Sequence, residues 1–373
     1  MTDLSALSSL KKDESGSWIV PDGQTFKTAS GIPLEPMVRK IMPTIDGPPA
    51  DLDSMYEQAC ANDAITVKSW KEQWHYQVED NSKTHDFIAN SCASLLGSEK
   101  FKPIVLAGSG PSLKRNAHQL QNRKDIRIVS CLHNFGYFED LEIMGEDDYY
   151  VTLDAGDITI REVTQGGSKE DDSWYWERTK NRTLIAHVCT NPDLLRRWQG
   201  KVLFFCTPFS PEMTPLMKPF VDVKEVPMFN TGGNCLGACM YLGKAILGGS
   251  TMIFIGADFA FDYTNSFHPF GSPYDQMFDG VVPVTNIWGN RVYTWQSYYN
   301  FKTWFDFMAC GGKGNNPITM VNATEGGILG AYAQGNIKQI VQMDLATALF
   351  TYHMVDMQKD LLAKADKEAC LLY

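Results

Sequence analysis

Apolar residues change their rhythm along this chain, and the change marks its organisation. Between 51 and 80, Met55, Ala59, Val67, Trp70 and Trp74 recur at helical spacing and predict a helix with one apolar stripe; 84–96 suits a second. From Lys102 onward the pattern becomes short, nearly continuous apolar runs at 103–107, 126–131, 149–153, 184–188, 202–206 and 252–255. Polar or helical stretches separate them, among them 111–121, 193–199 and 233–247. Strands apolar on both faces that alternate with helices predict an α/β fold: a Rossmann-like, mostly parallel sheet covered by helices on both faces. Beyond it, Ile340, Met343, Leu345, Leu349, Val355 and Leu361 are read as one or two C-terminal helices over 337–372. Ahead of it, Pro21, Pro33, Pro36, Pro43, Pro48 and Pro49 predict an extended arm, because proline lacks the amide donor and disfavours helix in its neighbour. The expected division is an arm at 1–50, a helical segment at 51–100, a nucleotide-binding catalytic domain at 101–335 and C-terminal helices at 336–373.

Composition narrows the function. A chain of 373 residues that is 44% hydrophobic can bury a sizeable core. No apolar run reaches the roughly 20 residues of a membrane span, and the first residues carry no secretory pattern, so a cytoplasmic location is expected. The net charge of −11 disfavours a broad electrostatic grip on nucleic acid or on an anionic membrane. The nine cysteines are scattered without a CxxC pair. Cys235 and Cys239 share a helix face, which is too little for a zinc site, so the cysteines read as small buried hydrophobes of a reducing compartment.

Four segments carry candidate chemistry. In the first, a strand runs into Gly108, Ser109, Gly110, Pro111 and Ser112, with proline where a helix would begin. Such a turn suits a phosphate or ribose, since glycine allows close approach and a helix start offers free amides; a tight turn without a ligand is the competing reading. It is neither a Walker loop nor the dinucleotide fingerprint. In the second, Thr231, Gly232, Gly233 and Asn234 lead into a helix of small residues and would face the crevice at the carboxyl edge of a parallel sheet. The third places Asp258 just after a buried strand, where it caps the next turn or binds a cation or substrate, with His268 ten residues on. Histidine is the side chain best matched to proton transfer near neutral pH. The fourth holds Glu325 in an Asn-Ala-Thr-Glu turn before Gly326 and Gly327. Asn134 and Asp154 follow two further strands.

These pieces, in this order, resemble the 6-hydroxymethylpterin diphosphokinase-like family, which includes the motility accessory factors, flagellin glycosyltransferases. The resemblance covers about residues 100–335 and rests on Gly108–Leu113, Thr152–Asp154, Thr231–Asn234, Gly256–Ala260 with His268, Gly289–Thr294 and Asn322–Gly327. The first three are also similar to bacterial lipooligosaccharide sialyltransferases, and that similarity implies that Ser109, Ser112, Asn134 and Thr231 contact the nucleotide. The arm and the C-terminal segment match nothing in either group.

The expected function is therefore a glycosyltransferase that moves a sugar from a UDP- or CMP-sugar to a hydroxyl of a protein Ser/Thr, a glycan or a hydroxymethylated base. The alternatives are a diphosphokinase passing pyrophosphate from ATP to a hydroxymethyl heterocycle, and a non-catalytic protein with a relic pocket. In either transfer the leaving group is anionic and the attacking alcohol must lose its proton. His268 is assigned as general base. Asp258 is assigned to orient it or to bind Mg²⁺ or Mn²⁺, and Glu325 is the reserve base or ligand. Donor binding is assigned to 108–112, Asn134, Asp154 and 231–234. The sugar, the acceptor, the stereochemical course and the oligomeric state are not readable from the sequence.

Overall fold

The computed structural model describes residues 42–49, 51–208, 210, 211, 213–261, 281–312 and 318–352, and two-residue strands at 11–12, 18–19, 26–27 and 33–34. His268, most of the proline-rich arm and the expected helix beyond 352 lie outside the described residues. Eight strands form one sheet: β1 (Pro103–Ala107), β2 (Arg127–Cys131), β3 (Tyr149–Thr152), β4 (Thr183–His187), β5 (Lys201–Phe205), β6 (Thr251–Ile255), β7 (Thr319–Asn322) and β8 (Ile340–Gln342). Their order is β5-β4-β3-β2-β1-β6-β7-β8, and every pairing is parallel. The expected α/β class and parallel sheet are therefore what the chain forms. The winding direction reverses once, between β1 and β6. At such a switch point the turns leaving two neighbouring strands diverge to opposite faces, which opens a crevice at the carboxyl edge.

Alternation along each strand fills both faces. Val105, Ile128, Tyr150, Leu184, Phe204 and Ile253 pack into one core, and Ile104, Val129, Val151, Ile185, Leu203 and Met252 into the other. A sheet buried on both sides has no polar face, which is why its strands read as continuous apolar runs. The edge strand β8 departs from the expected helix over 337–372; helix begins only at residue 345. Ile340, Val341 and Gln342 instead pair with Met320, Val321 and Asn322. Likewise, 84–96 is not a second helix but ends in a short 3₁₀ turn, Cys92–Leu95.

Helix α1 (Leu52–Thr84) is capped by Asp51, whose carboxylate accepts the amides of Asp53 and Ser54. It runs to the carboxyl edge of the sheet and is fastened there by buried amides. Gln77 donates to the Ala155 carbonyl at 2.6 Å, and Asn81 to those of Val188 and Thr190 at 3.0 and 2.8 Å. At its other end Tyr56 stacks on Phe307 of α3 (Gln296–Ala309) with centroids 4.1 Å apart. Helix α2 (Cys235–Tyr241) lies on the sheet, its N-cap Asn234 accepting the Gly237 amide at 2.8 Å. No helix among the described residues is long and apolar enough to cross a membrane.

Candidate functional site

Three of the four motif segments meet at the switch point. The Gly108 amide donates to the Ile255 carbonyl at 2.9 Å and that of Gly110 to Gly256 at 2.8 Å. The Asp258 carboxylate accepts the Ser112 hydroxyl at 2.7 Å and the Ser112 amide at 3.3 Å. The fourth segment joins them, because Ala257 donates to the Thr324 hydroxyl and Ile328 to the Asp258 carbonyl. Arg115 reaches the Glu325 carbonyl and Asn116 the Glu325 carboxylate. Asn134, fully buried, ties the end of β2 to the same joint by donating to the Gly108 carbonyl at 3.0 Å.

This geometry corrects how the first turn works. Its amides at 108, 110 and 112 are consumed by the neighbouring turn and do not form an anion cradle. The helix that follows, Leu113–Asn116, has only four residues and supplies little dipole. The glycines serve the packing of backbone on backbone: a Cβ on Gly108 would stand 2.5 Å from the Gly256 carbonyl oxygen. Asp258 is 3% exposed and committed to Ser112, so the metal-binding role expected for it does not fit. Glu325 accepts from Asn116 and from the Leu345 amide and likewise belongs to the joint.

Beside this joint lies a cleft of about 690 Å³ over the carboxyl ends of β1–β5. Ser109, Asp154, Thr231, Gly232, Gly233 and Asn234 line it, whereas Gly108, Gly110, Pro111, Ser112, Asn134, Asp258 and Glu325 do not. Helix α1 roofs it with Tyr56, Trp70 and Trp74, and Phe229 adds a further aromatic wall. Among the described lining residues there is no lysine or arginine; the ionisable ones are Asp154, Glu162, His133, His187, Tyr56 and three cysteines. The histidine His133 is held by Glu162, with Nδ1 and Oε1 3.1 Å apart. The Asp154 side chain reaches water, yet partial desolvation in the cleft, together with repulsion from Glu162, holds its carboxyl above the usual range against the pull of the Gly156 amide.

His187 closes β4 and lines the cleft, outside every motif of the sequence. A side chain that ends a parallel strand faces the crevice, and that rule applied to each run would have selected both it and Cys131. Its ring is bracketed by the Cys189 amide at Nδ1 and by Thr207 at Nε2, each 3.2 Å away. Burial pushes its pKa down to about 3 from 6.5, so it is neutral near pH 7 and too weak a base to take an alcohol proton. In the unfolded chain it binds a proton already near pH 6.5. The stability it permits is therefore complete above that pH and is lost as pH falls from 6.5 toward 3, at about 1.4 kcal/mol per pH unit. His187→Gln should flatten the acid side of the stability profile, as followed by urea unfolding at successive pH values. An unchanged slope would show that His187 is not the group being protonated.

The fold and the cleft define an α/β protein with a ligand-sized crevice at the carboxyl edge of a parallel sheet. Residues 79–264, just under half of the chain, match the model of the 6-hydroxymethylpterin diphosphokinase MptE-like family, the family its motifs led us to expect. Among solved structures, the MAf glycosyltransferase from Magnetospirillum magneticum AMB-1 is similar, with a TM-score of 0.47 and 14% sequence identity. The likeness covers 72% of this chain but only 38% of that one. No curated protein matches.

Proposed function

We propose that the cleft binds a nucleotide-activated sugar and that the protein is a transferase passing the sugar to an acceptor hydroxyl. Its lining carries the reading: aromatic walls, backbone-rich segments at 231–234, two carboxylates and, among the described residues, no cationic side chain. Aromatic faces suit a base or a sugar ring. A nucleoside triphosphate brings the most negative charge of the donors considered and a monophosphate-linked sugar the least. A wall bearing Asp154 and Glu162 therefore favours sugar transfer over the pyrophosphate transfer named in the family's description.

On this reading Ser109, Thr231 and Asn234 position the donor. His133, set by Glu162, takes the acceptor's proton; His268, the base expected from the sequence, is the competing candidate. A divalent ion, Mg²⁺ or Mn²⁺, fits the cleft better than it fits Asp258. Asp154 and Glu162 would hold it, their mutual repulsion falling as it binds, and when bound it supplies positive charge beside the leaving phosphate. The acceptor enters under α1.

A thermal-shift and donor-hydrolysis screen over UDP-, CMP- and GDP-sugars and ATP, with and without Mg²⁺ or Mn²⁺, tests the reading. Stabilisation and turnover with a nucleotide sugar are expected. His133→Gln should lower turnover by about 10²–10⁴-fold with donor affinity nearly unchanged. If His268→Ala does this and His133→Gln does not, the base is His268. Stabilisation by ATP alone would overturn sugar transfer in favour of pyrophosphate transfer.

A further inference from the structure

Along the sequence the cysteines are scattered, with only two on one helix face. Folding brings in a third. Cys131 ends β2, Cys235 begins α2, and Cys239 lies one helical turn further on. Their three sulfur atoms lie within 4.8 Å of one another, and those of Cys131 and Cys239 are 4.0 Å apart. Among the described residues this is the group of three or more potential ligand side chains that converges closely enough to hold one metal ion. It is also placed for ligand exchange, since Cys131 and Cys235 line the cleft while Cys239 sits buried behind them.

From this convergence we propose that Cys131, Cys235 and Cys239 form a binding site for a thiophilic d¹⁰ cation, represented by Zn²⁺, with a fourth coordination position open to the cleft. Zinc–thiolate bonds of about 2.3 Å in a tetrahedral site place sulfurs roughly 3.8 Å apart, so the Cys131–Cys239 pair need close by only a few tenths of an ångström and no pair by more than about 1 Å. A disulfide would use two of the three sulfurs and leave the third without a purpose; a metal ion uses all three. The Cys235 thiol presently donates to the Val151 carbonyl at 3.0 Å and would turn from it as its proton leaves. The ion would join the end of β2 to the first turn of α2, the two elements that flank the floor of the cleft. This site does not depend on which group is transferred in the cleft.

The test uses the full chain, stripped with a chelator under a non-thiol reductant and then titrated with Zn²⁺ against a chromophoric indicator, and separately with Co²⁺. One Zn²⁺ per chain is expected, with a rise in melting temperature and, for Co²⁺, a thiolate-to-metal charge-transfer absorption. Cys235→Ala is partly exposed and so should fold; it should weaken Zn²⁺ by more than about a hundredfold, since losing a ligand costs more than losing an outer partner. Cys60→Ala, exposed on α1, should leave affinity unchanged. The proposal fails if Cys235→Ala binds Zn²⁺ as the parent does, if the parent binds none tighter than micromolar, or if Cys131 and Cys239 are isolated as a disulfide.

Discussion

Replacing Gly110 by alanine should destabilise the protein by about 3 kcal/mol or more and, on the proposed reading of the cleft, abolish stabilisation by a nucleotide sugar. The added Cβ would stand 1.9 Å from the Asp258 carboxylate and 2.6 Å from the Gly256 carbonyl oxygen. Neither neighbour can step aside cheaply. The Gly256 oxygen accepts the Gly110 amide, and the carboxylate holds both donors of Ser112 in a nearly dry setting. Overpacking of this kind typically costs about 1–3 kcal/mol, and a displaced carboxylate adds the loss of charge-assisted bonds. Because Ser109 is the turn's contribution to the cleft, a shifted turn also spoils the binding surface. Gly47→Ala is the matched control, since a Cβ there meets nothing within 4 Å. Urea unfolding of both variants decides the matter: similar stabilities would mean that the joint between the β1 and β6 turns does not bear on folding.

The second large effect is expected at α3. Lys302 and Asp306 are completely buried, with Nζ and Oδ2 2.6 Å apart. The carboxylate also accepts the Tyr332 hydroxyl at 2.7 Å and the Gly330 amide at 3.1 Å, and the ammonium lies 3.3 Å from the centre of the Tyr332 ring. Burial drives the lysine's pKa down and the aspartate's up, each against the pull of its partner. Lys302→Met removes the cation and strands a buried carboxylate, which costs about 3–5 kcal/mol. Adding Asp306→Asn should recover most of that loss, because the amide oxygen still receives the Gly330 proton and the pair is neutral. If the double variant is no more stable than Lys302→Met alone, the ion pair is not the source of the effect.

How much of this the chain disclosed in advance follows from which contacts are local. The six strands β1–β6 are legible because burial on both faces leaves uninterrupted apolar runs such as Ile104 to Ala107. The edge strand β8 is not legible, because three residues carry no period and Ile340, Met343 and Leu345 fit a helix equally well. The glycine turn is legible but its packing is not: the atoms that make Gly108 and Gly110 necessary belong to residues 256 and 258, about 150 positions away. That Thr231 to Asn234 and Asp154 line the crevice is legible, because the end of a parallel strand or the start of its next helix faces it whatever the distant contacts are. The Lys302–Asp306 pair stayed hidden, since lysine and aspartate four residues apart read as a solvated helix face. Cys131 could join Cys235 and Cys239 only once β2 and α2 had packed.

The manner in which α1 is fastened has a consequence for how the molecule is made. Asn81 waits for the carbonyls of Val188 and Thr190, more than a hundred residues downstream. On a translating ribosome the roof therefore emerges long before the strands that hold it, and its Asn81 end has no native dock until β4 is complete. Long-range closures of this kind form late. The crevice should acquire its shape only after that point, and proteases that cut α1 near Asn81 should act more readily on chains arrested before residue 190 than on the full chain.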